Sequence, residues 1–507
     1  MSSTNTLGQN LKSGLIVALI ATPLCLGIAL ASNAPLIAGL IAGIIGGVVV
    51  GLISDSPLSV SGPAAGLSAI IFQGIIDVGS FEHFTYAIIL AGIIQVILSF
   101  LKAAKLTDFL PSSVIEGMMA AIGILLIIKQ LPYLFGSQNY MDLKEVFSLS
   151  NKAHWGALFI GAFSFIIFAL YRSKILLKDA FFKYLPFPLF LVLTSSTIAF
   201  LIESTPMHLF YEDYVHISEL VASYTPFQQF SVSKLSLFLD PTILKYGFIL
   251  AAVASIETLL CIEATDNLDS TLSKTNRDRE LLAQGVGNTI SGLLGGLAIT
   301  SVIVRTSANY ESGARSKYSA ILHGMLLLAA IVLIPHLIDK IPLAVLATIL
   351  IFTGFNLAHP RKFKSMWRHG LEEFAPFLIT IIAILSLDLL KGVGLGLMST
   401  VIFILKDHYY IQNQKMKIHT EHHLQEKRLV ITFGSHLTFL QKKSIEKKLM
   451  DLVPEEYQRI MIDLTSTRKV DHEIKILIRQ FIQKLEDSKA EYSVTNLVII
   501  GDIHERD

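Results

Sequence analysis

Through most of the chain, apolar runs of about twenty residues alternate with short polar stretches, and about twenty apolar residues are what a helix needs to cross a hydrocarbon core of roughly 30 Å. The pattern predicts about fourteen membrane helices, near 14–32, 35–53, 60–76, 85–101, 112–131, 155–171, 186–202, 244–262, 280–297, 298–312, 319–335, 341–356, 373–389 and 391–406. Two of them break the pattern. The segments at 60–76 and 298–312 carry Gly, Ser, Thr or Pro where a lipid-facing helix would carry leucine, and read as broken or half-length helices. Such backbone is tolerated at membrane depth only where it is buried in protein or lines a cavity, so function is expected there. Past Leu405-Lys406-Asp407 the pattern changes. Residues 412–427 are polar, 428–433 and 459–464 read as strands, and Ile445, Leu449 and Leu452 mark an amphipathic helix between them. A second helix is expected at about 471–487 and a further strand at 496–500, which together make a small α/β domain.

These patterns divide the chain into an N-terminal tail at 1–12, a membrane domain at 13–407 and a small α/β domain at 413–507. The long polar loop near 203–243 splits the membrane domain into repeats at about 13–202 and 244–407, with about seven spans each. The two irregular segments are each the third span of their half. An odd number of spans makes the second half enter the membrane from the opposite side, which predicts an inverted repeat with its binding site near the midplane. With the N-terminus in the cytoplasm, the inward loops carry Lys102, Lys105, Arg172, Lys174, Lys178, Lys183, Lys274, Arg277, Arg279, Arg315, Lys317, Arg361, Lys362, Lys364 and Arg368, and the outward loops far fewer. This positive-inside asymmetry predicts a multi-pass membrane protein with both termini cytoplasmic, and the expected location is a plasma membrane, the inner membrane of a bacterium. The start of the chain lacks a small-residue cleavage pattern, so the first span is expected to remain in the mature protein.

Composition agrees, with 52% hydrophobic and 16% charged residues and a mean hydropathy of +0.59. A formal net charge of +1 gives no basis for binding nucleic acid. The two cysteines, Cys25 and Cys261, lie in apolar runs as packing residues, which argues against a disulfide framework or a thiolate metal site. No cofactor is expected.

The first irregular segment, Ser56 to Gly66, places Ser61, Gly62, Pro63, Ala64 and Ala65 at a helix start, where small residues let a ligand approach unpaired backbone N–H groups. An anion is the natural partner of such a start. The second segment, Gly295 to Asn309, offers a glycine entry, Ile299, the hydroxyls of Thr300 and Ser301, and a cation at Arg305. The alternative is that small residues in both segments merely allow tight helix crossing. Glu257 stands in an otherwise apolar helix, where a charged residue costs about 2.5–3.5 kcal/mol on insertion scales. Its candidate roles are a protonation site, part of a Na⁺ site with oxygens from Thr258 and Thr300, or a structural hydrogen bond. Arg305 is able to grip an oxyanion at two points, pair with Glu257, or snorkel to the cytoplasmic surface. His323 and His336, near span ends, read as ordinary interfacial residues.

Several of these segments resemble the SulP family of anion permeases. They are Val60-Ser-Gly-Pro-Ala-Ala-Gly66, Ala254-Ser-Ile-Glu-Thr-Leu-Leu260, Asn276-Arg-Asp-Arg-Glu-Leu-Leu-Ala-Gln-Gly-Val-Gly-Asn288, and Ile299 to Asn309 with Gly313-Ala-Arg-Ser-Lys317. The resemblance covers nearly the whole chain and implies a truncated STAS domain at its end. It implies fourteen spans as two inverted sevens, a core domain moving against a gate domain, and a homodimer. On this pattern Ser61 to Ala65 and Ile299 to Ser301 match the anion-binding backbone, Glu257 the carboxylate of ion coupling, and Arg305 the basic residue of the tenth helix. Ala21 to Gly27 matches the first-helix lining, with Leu24, Cys25 and Gly27 facing the pocket, although many relatives carry glutamine where this chain has Leu24. The wording from Thr300 to Asn309 resembles bacterial members sometimes fused to a carbonic anhydrase, which points toward bicarbonate. Asp471-His472-Glu473 stands where regulatory relatives have a phosphorylatable serine.

The expectation is therefore a secondary active transporter of bicarbonate or sulfate, coupled to H⁺ or Na⁺, working by alternating access between the starts of spans 3 and 10. An anion channel, or a membrane anion sensor signalling through the STAS-like domain, are the alternatives. An enzyme is not expected, because no Ser/His/Asp, His/Cys or paired-carboxylate constellation falls at membrane depth.

Overall fold

Local capping fixes where several helices begin. Asp240 accepts hydrogen bonds from the backbone N–H groups of Thr242 and Ile243, with Pro241 in the first turn, and starts the helix Pro241–Asp266. Asn276 accepts from the Arg279 N–H and starts Arg277–Leu293, whose first turn carries Asp278 and Glu280 at the positive end of the helix dipole. Ser80 does the same for Phe81–Phe100.

The computed structural model describes residues 3–105, 111–136, 154–172, 187–227, 232–269, 272–387, 389–411, 419–423, 428–434, 436–437, 442–450, 459–467, 469–487 and 491–495. Among the described residues, fourteen principal helices follow one another in the order the hydropathy pattern predicts. The first seven are α1 (Ser3–Ala31), α2 (Leu36–Ile45, continued to Ile53), α3 (Ala65–Val78), α4 (Phe81–Phe100), α5 (Ser112–Leu134), α6 (Trp155–Arg172) and α7 (Phe187–Leu201). The next seven are α8 (Pro241–Asp266), α9 (Arg277–Leu293), α10 (Ile303–Glu311), α11 (Tyr318–Leu333), α12 (Leu343–Leu357), α13 (Leu371–Ser386) and α14 (Leu389–Ile411). Among the described residues six helices are long and apolar enough to cross a membrane, and five shorter ones are apolar as well. The two irregular spans are each a three-residue strand feeding a helix: β1 (Ser61–Pro63) leads into α3 and β2 (Ile299–Ser301) into α10.

Helix packing follows the two-half order. α1 packs on α11 as α8 packs on α4, α2 on α11 as α9 on α4, and α5 on α12 across the halves. Each pair maps onto its counterpart when span n is exchanged for span n + 7. Close approach rests on glycine: a Cβ on Gly92 of α4 would lie 2.4 Å from the Thr289 nitrogen and 2.6 Å from the Gly285 carbonyl of α9. After Ile45, α2 loosens into a π-helical stretch at Gly46–Val50. There Gly46 abuts the Ser61 carbonyl of β1, and Gly47 abuts Gly324 of α11. Widened turns of this kind recur where a helix must accommodate a site.

Two compact units are present, one of Met1–Lys364 with Phe377–Leu395 and one of Ser365–Pro376 with Gly396–Asp507. The second contains a four-stranded sheet of β3 (His419–His423), β4 (Arg428–Thr432), β5 (Arg459–Asp463) and β6 (Glu491–Thr495), in that spatial order. β3 runs antiparallel to β4, and β4, β5 and β6 are parallel, with Leu429 opposite Ile460 and Ile460 opposite Tyr492. The helices α15 (Lys442–Met450) and α16 (His472–Asp487) supply Ile445, Ile474, Ile478 and Phe481 to a core shared with Leu429, Ile431, Ile460 and Ile462. The strand expected at 496–500 lies outside the described residues, and β6 ends just before it.

Candidate functional site

β1 and β2 meet as an antiparallel pair, Ser61 opposite Ser301, Gly62 opposite Thr300 and Pro63 opposite Ile299. Each strand is buried along its length. Because the strands run in opposite directions, α3 and α10 leave from opposite ends of the pair, and both positive helix ends face it. Neither start is capped by a side chain: Ala64 precedes α3 and Val302 precedes α10, both in extended backbone. The hydrogen-bonding capacity at these starts is therefore left for something other than a side-chain cap.

Arg305, in the first turn of α10, is fully buried. Its Nη2 donates to the Pro63 carbonyl at 3.4 Å and to the Cys25 Sγ at 3.3 Å, while Nε and Nη1 have no hydrogen-bond partner. The guanidinium lies against Gly62, where a Cβ would stand 2.1 Å from Nη1. Burial rules out snorkelling, and no ion pair joins Arg305 to Glu257. A buried cation without a counter-charge costs several kcal/mol, and an anion at the free N–H groups would relieve that cost.

Glu257, on α8, sits at the opening turn of α3, with both carboxyl oxygens 2.8 Å from where a Cβ of Gly66 would be, and its Oε2 has no partner. Its neighbour Thr258 accepts a hydrogen bond from the Ser301 N–H at 3.2 Å, so this turn of α8 anchors β2. Thr300 is fully buried and its hydroxyl turns to the Ser301 carbonyl. Of the three first-helix candidates only Cys25 bonds to Arg305; Leu24 is buried and Gly27 packs against Leu350 of α12.

A polar stripe on α9 holds the strand pair in place. Gln284 Nε2 donates to Ser61 Oγ at 2.7 Å and to Glu280 Oε1 at 2.9 Å, and Glu280 Oε2 accepts from Ser54 at 2.5 Å. Asn288 accepts from the Ile299 N–H at 2.6 Å and donates to the Ile299 carbonyl at 3.0 Å and to Gln95 at 2.7 Å. The sequence reading does not single out Glu280, Gln284, Asn288 or Gln95, yet the signal is visible. Asn276, Glu280, Gln284 and Asn288 recur at every fourth position, which places them on one helix face. Lys129 of α5 is a further intramembrane cation, standing 3.4 Å over the Phe72 ring of α3.

One expectation is corrected outright. His323 is not interfacial: it is fully buried on α11, with neither ring nitrogen hydrogen-bonded. α1 and α2 pack against α11 and take its inner face out of reach of the surface. His336 is exposed and bonds to Ser218, as an interfacial residue does.

Comparison with known proteins agrees with this architecture. The model of the Sulfate permease family matches residues 7–382. YvdB of Bacillus subtilis is 24% identical over 96% of this chain and 91% of its own. The bicarbonate transporter BicA of a Picosynechococcus strain is 27% identical over 80% of this chain and 71% of its own. Among solved structures, the transmembrane domain of a cyanobacterial BicA superposes with a TM-score of 0.66 at 25% identity, covering 78% of this chain and 97% of that one. The structure of SLC26A9 shares the fold at a TM-score of 0.67 and 14% identity, over 99% of this chain and 87% of that one.

Proposed function

The chain belongs to the sulfate permease family, and from that membership we propose that it is a secondary active transporter of bicarbonate or sulfate, with the anion held between the starts of α3 and α10. As a family member it is a multi-pass membrane transporter of anions and not an enzyme. The observation that carries the site is the fully buried Arg305, two of whose donors stand unpartnered beside two uncapped helix starts. Around the anion, the opening turns of α3 and α10 would supply backbone N–H groups, Ser61 to Ala65 and Ile299 to Ser301 would line the site, and Arg305 would supply two charged donors. Cys25 borders the guanidinium, while Leu24 and Gly27 contribute packing of the first helix.

Glu257 would carry the coupling, as the site of a bound H⁺ or as one ligand of Na⁺ with Thr258 and Thr300. Its position at the start of α3 supports this reading, because a carboxylate there competes with the anion for the same positive helix end. Alternating access is supported by a strand pair tied to α8 and α9 by side-chain hydrogen bonds, which lets the site move with them as one body. We place the protein in a plasma membrane with both termini in the cytoplasm, on the distribution of lysine and arginine among its loops, and in a bacterium on its likeness to bacterial transporters. The α/β unit is read as a STAS-like domain and the assembly as a homodimer.

The test is uptake of radiolabelled bicarbonate and sulfate into proteoliposomes under imposed Na⁺ and H⁺ gradients. One anion should accumulate. Arg305→Ala, which removes a charged pair of donors, should cost about 30-fold or more in apparent affinity, the equivalent of about 2 kcal/mol. Glu257→Gln should leave flux that no longer follows the gradient. Failure of both anions to enter with correctly folded protein would sink the assignment.

A further inference from the structure

The buried face of α11 runs through Ala320, His323 and Leu327, three and four residues apart and therefore stacked along one side of the helix. Ala320 packs with Val17 and with Val60, the residue before β1. Leu327 and the Cys25 sulfur face the same glycine, Gly43, at 2.9 and 2.7 Å from where its Cβ would be. Gly43 in turn borders Gly62, and Cys25 accepts from Arg305. His323 lies between these two contacts, so its ring is held on the Gly62 and Arg305 side of α11, and the Arg305 charge acts on it. Both residues are fully exposed to nothing but protein, and four of their polar atoms have no hydrogen-bond partner: Arg305 Nε and Nη1, His323 Nδ1 and Nε2. Two unsatisfied side chains together in a dry interior call for a shared ligand.

The chemistry of the pair limits what that ligand is. Arg305 has donors only, and helix starts present N–H donors only. A neutral imidazole has one N–H donor and one acceptor nitrogen. Whichever ring nitrogen carries the N–H, the other is left as a lone acceptor in a site otherwise built of donors. Against a fully deprotonated oxyanion this nitrogen sets lone pair against lone pair. Against an oxyanion that keeps one O–H it completes the set.

Resting on the anion site proposed at Arg305, we propose that His323 accepts the hydroxyl hydrogen of the transported anion and so selects monoprotonated oxyanions, of which bicarbonate is the smallest, over fully deprotonated ones such as sulfate. A site built to pair a substrate hydroxyl discriminates strongly against an analogue that lacks it, because its own buried group is then stranded.

Bicarbonate and nitrate make the decisive comparison, since both are planar, singly charged and of similar size, and only bicarbonate carries an O–H. Binding of each to the purified full-length protein in detergent is measured by calorimetry at about pH 8, where bicarbonate predominates. The wild type should prefer bicarbonate by about tenfold or more. His323→Leu should bring the two affinities to within about twofold, and His323→Gln, whose amide oxygen is again an acceptor, should keep most of the preference. Equal affinities in the wild type, or an undiminished preference in His323→Leu, would overturn the selector, even with anion binding itself intact. The wild-type comparison decides the matter if His323→Leu does not fold. Absence of binding by either anion, or full binding of both by Arg305→Ala, would instead remove the anion site and the selector with it.

Discussion

Substituting Gly62 by alanine probes the site with a single methyl group. The added Cβ would lie 2.1 Å from Arg305 Nη1 and 3.2 Å from its Cζ. Non-bonded heavy atoms settle near 3.5–4.0 Å, so the guanidinium must retreat by more than about 1 Å. The obstructing atoms are the tip of a side chain and not backbone, so β1 keeps its place and the arginine swings away. The stability cost should stay in the range of overpacked cores, about 1–3 kcal/mol. Function should suffer more, because the contacts of Nη2 to Pro63 and Cys25 are already 3.4 and 3.3 Å long and give way first, and a misplacement of about 1 Å commonly costs about 100-fold. The assay is anion uptake in proteoliposomes alongside thermal unfolding in detergent, run as a double-mutant cycle with Arg305→Ala. Gly62→Ala should nearly abolish uptake in the wild-type background and have little further effect once Arg305 is gone, because the clash then disappears. Wild-type uptake by Gly62→Ala, or equal damage in both backgrounds, would refute the reasoning that Gly62 is kept small for the guanidinium.

Two further outcomes follow from the hydrogen bonds. Asn288→Ala strands the Ile299 N–H and carbonyl and one Gln95 group in a dry interior, which should cost about 3 kcal/mol in all, and a melting temperature matching the wild type would contradict the role given to the α9 stripe. In the α/β unit, the Thr465 hydroxyl and N–H, with the Thr495 hydroxyl, donate to Asp463 and hold its carboxyl below the usual range. A depressed folded value means the stabilisation is complete above the ordinary aspartate pKa of about 3.9 and is lost as the pH falls through the lower folded one. Asp463→Asn should therefore weaken resistance of this unit to limited proteolysis at neutral pH and match the wild type in strong acid; a deficit independent of pH would count against it.

Much of the fold is legible in the chain because it is written locally. A membrane span declares itself in about twenty consecutive residues, and strands alternating with amphipathic helices declare an α/β unit in fewer. The breaks at Ser61 to Ala65 and at Ile299 to Ser301 are equally local, since Gly, Ser, Thr and Pro gathered inside apolar runs do not make a lipid-facing helix. Their matching places as third spans give the inverted order without any tertiary knowledge.

What the sequence leaves open is decided by partners far away in the chain. Arg305 reads equally as an anion ligand, a partner of Glu257 or a snorkelling cation, and only packing leaves it buried beside Gly62 with Cys25, 280 positions away, as one acceptor. The fourfold spacing of Glu280, Gln284 and Asn288 announces a polar stripe, but Ser61, 223 positions from Gln284, gives it a purpose. Hydropathy treats all sides of a helix alike, so it could not tell that Cys25 faces the arginine while Gly27 faces Leu350, or that His323 turns inward. The chain by itself thus determines which segments enter the membrane and where they break, because solvation is a property of each segment. Which polar groups meet there is decided by the tertiary structure, because a hydrogen bond or a clash exists only once two distant segments have been brought to within a few ångströms.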